Sequence, residues 1–185
     1  MINSDALGTF VRNNSQSRQF QNFLNEANTK QVDLIIENLY LELPDLITHE
    51  YANYMVQKLF SVCNYTQRLK VMQRLHEDIA NIVRNKQGTH TIQALIKFFT
   101  NDEEYKLMCE SIKENFLLLS CHPNATHFVQ KIIGLFPINH TYFFFEYAQK
   151  NFLDFALDKN AMCVIKHMMK LIAELEKNNP SEKIK

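Results

Sequence analysis

Residues 52–58 read Ala-Asn-Tyr-Met-Val-Gln-Lys, and a related stretch returns at nearly equal intervals along the chain. Each copy contains a triplet, which consists of two adjacent residues and a third residue four positions after the first. The first positions of successive triplets are 36, 36, 37 and 36 residues apart. A period of this length indicates an array of one supersecondary unit rather than a single globular core. The triplets are Ser17-Arg18-Gln21, Asn53-Tyr54-Gln57, Thr89-His90-Gln93, Thr126-His127-Gln130 and Met162-Cys163-Lys166.

Each period predicts three helices. A pair of apolar residues three positions apart, such as Leu43 and Leu46, precedes each triplet and indicates a short first helix. The triplet lies on a second helix that carries two apolar columns, and a third helix follows a polar break with capping residues such as Asn28 or Asn64. We predict a core that includes the pair Phe152 and Phe155 with its counterparts, and the second-helix columns Phe23, Leu24, Leu59, Phe60, Leu95, Ile96, Ile132, Ile133, Met168 and Met169.

The repeated pattern predicts an all-α chain, an α-solenoid of about four and two-thirds three-helix repeats. Because each repeat buries its apolar faces only against its neighbours, stability should be a sum over contacts along the array. We expect one partial repeat domain over residues 1–185, in which the third helix of the incomplete fifth repeat begins near Ser181. The approximate repeats are 1–40, 41–76, 77–113, 114–149 and 150–185.

Composition and motifs restrict the class of function. The chain has 20 basic and 20 acidic residues, no apolar stretch of membrane-spanning length and no signal-peptide core. Its four cysteines lack zinc-ligand spacing, so we expect reduced, mostly buried thiols and no metal or other cofactor. No phosphate-binding glycine loop, nucleophile elbow or H-E-x-x-H motif is present, and Glu103-Glu104 is interpreted as a solvated helix start. We expect a soluble, cytoplasmic, non-enzymatic protein without a membrane partner or a small-molecule substrate.

The zero net charge conceals an uneven distribution. The segments around the triplets contain no Asp or Glu, and they are residues 16–24, 52–62, 88–99, 125–136 and 161–172. The alternative that the triplets are solvated stripes of amphipathic helices does not account for this exclusion of acids from every copy. A neutral to basic surface of this kind suits a polyanion. The basic residues in these segments are Arg18, Lys58, Lys97, Lys131, Lys166 and Lys170.

The triplets combine side chains that can read the edge of a base with side chains that can stack on its face. The three positions project from one side of a helix, so the triplets form a ladder with one rung per repeat. Glutamine offers a donor and an acceptor to an unstacked base, and stacking on an aromatic ring contributes ~1–3 kcal/mol per base. We predict RNA contacts from the edge readers Gln21, Gln57, Gln93 and Gln130, from the shorter Ser17, Asn53, Thr89 and Thr126, and from the stacking residues Arg18, Tyr54, His90 and His127.

The triplets resemble the base-reading helices of the Pumilio-homology (PUF) family of RNA-binding proteins, most clearly at residues 52–58, 88–93 and 124–131. The order of the rungs is similar to the first five of the family's usual eight repeats. The resemblance implies a crescent-shaped, right-handed superhelix that binds single-stranded RNA on its concave face, one base per repeat and antiparallel to the chain. It also implies post-transcriptional regulation, such as translation repression, through mRNA 3′ untranslated regions, with mRNA-decay or translation-repression proteins as partners.

The family's code, carried over to these rungs, implies a base preference. Asn with Gln prefers uracil, so Asn53 with Gln57 should read U. A small residue with Gln tends toward adenine, so Ser17 with Gln21 should read A. The third and fourth rungs are weaker adenine or permissive sites, and the expected RNA is 5′-N-A-A-U-A-3′.

The fifth rung departs from the family pattern. Lys166 carries only donors, so we expect this rung to hold a phosphate or nothing. Two alternatives to selective RNA binding stay open. One is a protein-binding α-solenoid, and the other is a PUF-like ribosome-assembly factor that holds structured RNA with little base selectivity.

Overall fold

The computed structural model describes residues 4–178, and every regular element within them is helical. The helices follow one another in the predicted order of short first, longer second and third helix, which confirms the all-α repeat fold. The first helices are α1 (Ser4–Arg12), α4 (Leu43–Thr48), α7 (Ile79–Ile82), α10 (Phe116–Cys121) and α13 (Phe152–Ala156). The second helices are α2 (Asn14–Glu26), α5 (Ala52–Val62), α8 (Lys86–Leu95), α11 (Thr126–Leu135) and α14 (Lys159–Asn178). The third helices are α3 (Thr29–Leu39), α6 (Tyr65–Leu75), α9 (Asp102–Lys113) and α12 (Ile138–Lys150), and short 3-10 helices span Tyr40–Glu42 and Ile96–Phe98.

The chain forms two compact units, Met1–Ser111 and Ile112–Lys185. In the first unit the second helices α2, α5 and α8 pack side by side in sequence order, and the third helices α3 and α6 are also neighbours. In the second unit α11 packs against α14, and α10 lies against both of them. The prediction of a single domain and the predicted repeat boundaries stay predictions, and the helix expected near Ser181 lies outside the described residues.

Side chains of the second-helix columns form most of the core where a helix has neighbours on both sides. In α5, which lies between α2 and α8, both Leu59 and Phe60 are fully buried. The third helices α3 and α6 begin as predicted at capping boxes. Asn28 pairs with Gln31 and Asn64 with Gln67, each asparagine accepting from a backbone N–H and each glutamine accepting from the backbone N–H of the asparagine.

Three residues predicted to be core are exposed instead: Phe23 by 44%, Met169 by 64% and Phe152 by 49%. Phe23 lies on α2 and Met169 on α14, and each of these helices packs against only one other second helix of its unit, α5 and α11 respectively. The first helices α1 and α4 are covered by the third helix of their own repeat, whereas no third helix is described for the repeat of Phe152. Apolar side chains of a repeat are therefore covered only where a neighbouring helix is present.

The interpretation of Glu103-Glu104 as a solvated helix start is wrong for Glu104, which is fully buried. Its carboxylate accepts hydrogen bonds from Arg68 Nε at 2.6 Å and from the backbone N–H of Thr100 at 2.8 Å and of Asn101 at 3.2 Å. Glu104 thus caps the start of α9 and pairs with an arginine of α6. Burial is tolerated because the carboxylate is both ion-paired and hydrogen-bonded.

Candidate nucleic-acid interface

Every second helix begins at a capping side chain that precedes the first triplet position by four residues. In the first repeat Asn13 Oδ1 accepts from the backbone N–H of Ser15 at 3.0 Å and of Gln16 at 3.2 Å. In the second repeat His49 Nδ1 plays this part, accepting from Tyr51 at 3.2 Å and Ala52 at 3.3 Å. The cap column consists of Asn13, His49, Asn85, His122 and Asp158.

The cap column also ties the first triplet residue to the start of its helix. The backbone carbonyl of each cap accepts the N–H of the residue four positions later, for example Ser17 from Asn13 at 2.8 Å and Thr126 from His122 at 2.9 Å. The sequence analysis missed this column. Its signal was present, because Asn, His and Asp are side chains that can accept backbone N–H groups and they recur here with the period of the triplets.

The three positions of a rung differ in depth. The first positions are almost fully buried, with exposures of 1% for Ser17, 3% for Asn53 and 4% for both Thr89 and Thr126. The third positions are half-buried in the first four rungs. The middle positions project into solvent, and these are Arg18, Tyr54, His90, His127 and Cys163. Each of the first four rungs therefore presents an exposed group available for stacking beside a recessed glutamine.

In all four of these rungs the glutamine donates from Nε2 to the side chain of the first position. The distances are 3.4 Å from Gln21 to Ser17, 3.2 Å from Gln57 to Asn53, 3.2 Å from Gln93 to Thr89 and 3.3 Å from Gln130 to Thr126. A short first residue therefore supports the glutamine from below. We find no separate surface contact for the first position, because its polar atom lies beneath the amide that it holds.

The supporting hydroxyls are themselves committed. Ser17 Oγ donates to the carbonyl of Tyr51 at 3.2 Å, and Thr126 Oγ1 donates to the carbonyl of Asn160 at 3.2 Å. Both carbonyls lie at the start of the second helix of the following repeat. Since each hydroxyl has a single proton, it can only accept from the glutamine, which orients the amide and leaves Oε1 and one N–H for a ligand.

The second rung is more fully engaged than the others. Asn53 Nδ2 donates to the carbonyls of His49 at 2.7 Å and Glu50 at 3.0 Å, so its Oδ1 faces Gln57. Gln57 Nε2 lies 3.2 Å from Asn53 Oδ1 and 3.4 Å from Thr91 Oγ1. Both amide hydrogens of Gln57 therefore have partners, and its carbonyl oxygen is the atom left for a ligand.

A surface cavity of about 390 Å³ lies between the first and second rungs. Arg18 and Tyr54 line it together with Gln21, so two groups able to stack and one edge reader meet in one space. Glu50 also lines the cavity. This acid lies just outside the acid-free segment 52–62, and the sequence analysis did not anticipate it at the ladder.

The fifth rung has a different chemistry, as predicted from its residues. Met162 is half-buried, and both Cys163 and Lys166 are exposed. The Cys163 thiol donates to the carbonyl of Lys159 at 3.3 Å. A methionine side chain offers no strong acceptor to hold a neighbour in place, so this rung lacks the supported amide of the other four.

The other thiols are covered to different degrees. Cys63 and Cys109 are buried, and Cys121 is half-buried. Burial raises the pKa of both Cys63 and Cys109 to about 12. Within the described residues, no three His, Cys, Asp or Glu side chains are grouped to hold a metal, and no helix there is long and apolar enough to cross a membrane.

The structure therefore brings rungs one to three together on α2, α5 and α8 of the first unit, and rungs four and five on α11 and α14 of the second unit. Whether these residues contact RNA stays a prediction.

Comparison with known proteins places this arrangement in a family. A family model described as a NOP9-like PUF repeat domain matches residues 2–160. The chain is 28% identical over 174 residues to Pumilio homolog 11 of Arabidopsis thaliana, a match that covers 88% of this chain and 31% of that protein. It is 30% identical over 131 residues to a Pumilio domain-containing protein of Schizosaccharomyces pombe, with 71% and 17% covered. The chain thus spans less than a third of the length of these relatives.

Solved structures give the same fold. The Puf4 RNA-binding domain bound to the HO endonuclease RNA 3′ UTR recognition sequence matches with a TM-score of 0.81 and 24% identity, over 88% of this chain and 50% of that chain. The RNA-binding domain of yeast Puf5p bound to AAT2 RNA matches with a TM-score of 0.78 and 23% identity, over 88% and 47%. Since the helical repeats match these structures and the family model matches residues 2–160, the chain belongs to the Pumilio (PUF) repeat family.

Proposed function

We propose that this chain is a sequence-selective single-stranded RNA-binding protein that reads one base per repeat through its second helices. The observation that carries the proposal is the supported glutamine, held by the first triplet residue in four consecutive rungs at 3.2 to 3.4 Å. A fixed amide beside an exposed Arg, Tyr or His suits an unstacked base that is read at its edge and stacked on its face. The RNA complexes of the similar Puf4 and Puf5p domains add support.

We expect the four rungs to prefer the sequence A-A-U-A, read 5′ to 3′ from the fourth rung to the first. The decisive test changes one rung. A double variant, Asn53→Ser with Gln57→Glu, replaces the amide donor by a carboxylate acceptor that suits guanine. Affinity measured by fluorescence anisotropy should fall for A-A-U-A and rise for A-A-G-A, each by tenfold or more, as expected for ~1–3 kcal/mol per base contact.

The matched control is Gln73→Glu. Gln73 is exposed on the third helix α6, away from the ladder, and its substitution adds the same negative charge. This control should leave the preference for U unchanged. If the double variant weakened A-A-U-A and A-A-G-A by an equal factor, the assignment of the second rung to that base would be wrong.

A second candidate is a PUF-like factor of ribosome assembly that holds structured RNA with little base selectivity. Two observations favour it, namely the match to a NOP9-like family model and the internal engagement of both amide groups in the second rung. The equal loss described above would support this candidate. Binding of a hairpin RNA as tightly as a single strand would also support it.

We further propose a role in post-transcriptional regulation in the cytoplasm, with an mRNA 3′ untranslated region as the target and mRNA-decay or translation-repression proteins as partners. The test is a reporter mRNA with tandem A-A-U-A elements downstream of its coding sequence. Expression of the wild-type protein should lower reporter output. The Asn53→Ser, Gln57→Glu variant should lose this effect on A-A-U-A and act on A-A-G-A elements instead.

A further inference from the structure

Helix α14 carries four lysines on one side. They are Lys159, Lys166, Lys170 and Lys177, at offsets of 0, 7, 11 and 18 residues. At 3.6 residues per turn these offsets fall within ~40° of one another, so the lysines form a stripe along the helix. All four are exposed. We call this set the lysine stripe.

The stripe lies on the ladder side of α14. Lys166 occupies the third triplet position, which the glutamines hold in the other rungs. The opposite side of the helix is buried and consists of Ala161, Val164, Ile165 and Met168. Contacts with α11 hold this orientation, since Thr126 Oγ1 on α11 donates to the carbonyl of Asn160 at 3.2 Å.

The charge of α14 differs from that of every other second helix. Helices α2, α5, α8 and α11 contain one Lys or Arg each, whereas α14 contains four lysines. Residues 159–173 include no acid. The printed ion pair of the stripe joins Lys170 Nζ to Glu174 Oε1 at 3.8 Å, with side chains 74% and 53% exposed. An exposed pair of this length is weak and leaves the lysine able to bind an anion.

A lysine ammonium is a compact point charge with three donors and no acceptor, which suits a phosphate and gives no information about a base. Met162 and Cys163, the other members of the fifth rung, provide neither a planar stacking surface nor a fixed amide. We propose that the lysine stripe holds the phosphates of RNA nucleotides on the 5′ side of the four bases read by rungs one to four, without selecting their bases. This inference rests on the proposed function for the direction of the RNA.

The test compares RNAs that differ only beside the A-A-U-A core. One carries four abasic nucleotides on the 5′ side, a second carries four uridines there, a third carries the same uridines joined by uncharged methylphosphonates, and a fourth carries four uridines on the 3′ side. Affinity is measured from 50 to 200 mM salt. The abasic and uridine 5′ extensions should raise affinity equally and steepen the plot of log affinity against log salt by up to ~3, since single strands give ~0.7 per phosphate.

The methylphosphonate 5′ extension and the 3′ extension should give little of this gain. The double variant Lys166→Gln with Lys170→Gln should reduce the gain from the 5′ extension, lowering the salt slope by about one per lysine. The control Lys30→Gln with Lys106→Gln removes two exposed lysines from the third helices α3 and α9 and should leave it unchanged.

A gain that depends on the bases of the extension, or one that survives the Lys166→Gln, Lys170→Gln variant, would overturn the inference. So would an abasic extension that adds nothing. Failure of the proposed function gives a different result, because the Asn53→Ser, Gln57→Glu variant would then not alter the preference within the core. The effect of the 5′ phosphates is measured independently of that preference.

Discussion

At the scale of single residues, each of the first four rungs is a hydrogen-bonded unit rather than three independent side chains. The first position is buried and its role is to hold the glutamine, as Thr126 holds Gln130 at 3.3 Å. Pre-orientation of this kind lowers the entropy lost when a ligand binds. It also limits the choice of residue, because the first position must be short and must offer an acceptor to Nε2.

The four thiols are expected to differ strongly in reactivity. A pKa near 12 for Cys63 and Cys109 leaves almost no thiolate at pH 8, and burial with nearby acids raises the pKa of Cys121 as well. Cys163 is exposed on the fifth rung. We therefore expect one fast reaction with a disulfide reagent at pH 8, with the remaining thiols released by urea. The fast phase should disappear in Cys163→Ser, and its persistence there would contradict the assignment.

Much of the ladder could be predicted from sequence because its signal is periodic. The triplets, the helices that carry them and the caps at Asn28 and Asn64 all depend on residues close in sequence. The depth of Ser17 or Asn53 could not be predicted in this way, because the carbonyl that accepts from Ser17 belongs to Tyr51, 34 residues later. The burial of Glu104 likewise depends on Arg68, 36 residues earlier.

At the scale of helices, the cap column determines where each second helix begins. His49 is an informative member because the same position is asparagine in the first and third repeats, at Asn13 and Asn85. His49→Ala should lower the free energy of unfolding by ~1 kcal/mol through loss of two hydrogen bonds to backbone N–H groups. His49→Asn should retain most of the stability. Urea unfolding followed by circular dichroism measures both, and equal destabilisation by the two substitutions would argue against the cap.

The helices also separate two kinds of charge. Acids are absent from the triplet segments, whereas the first turn of the third helix α9 alone has Asp102, Glu103 and Glu104. The three acids have different environments: Glu104 is buried against Arg68, and Glu103 accepts from the Tyr65 hydroxyl at the surface. The neutral total of 20 basic and 20 acidic residues is therefore compatible with a ladder that favours an anionic ligand.

At the scale of the whole molecule, stability should follow the contacts between successive repeats, because a repeat array has no common core. The first unit, Met1–Ser111, contains one such contact that is ionic and buried. Arg68 of α6 and Glu104 of α9 join the third helices of successive repeats, with side-chain exposures of 10% and 0%. The pair lies away from the ladder, so it can be altered without removing a predicted RNA contact.

Glu104→Gln should destabilise the first unit by ~3 kcal/mol, because it leaves the Arg68 guanidinium buried without an opposite charge. The neighbouring Glu103→Gln is the control and should cost less than ~0.5 kcal/mol, as is usual for an exposed group. Replacing both partners, as Arg68→Met with Glu104→Leu, should recover much of the loss because no buried charge remains unpaired. Urea unfolding gives the free energies, and hydrogen exchange should show α6 and α9 losing protection before α2. Equal effects of Glu104→Gln and Glu103→Gln would show that this contact does not couple the repeats.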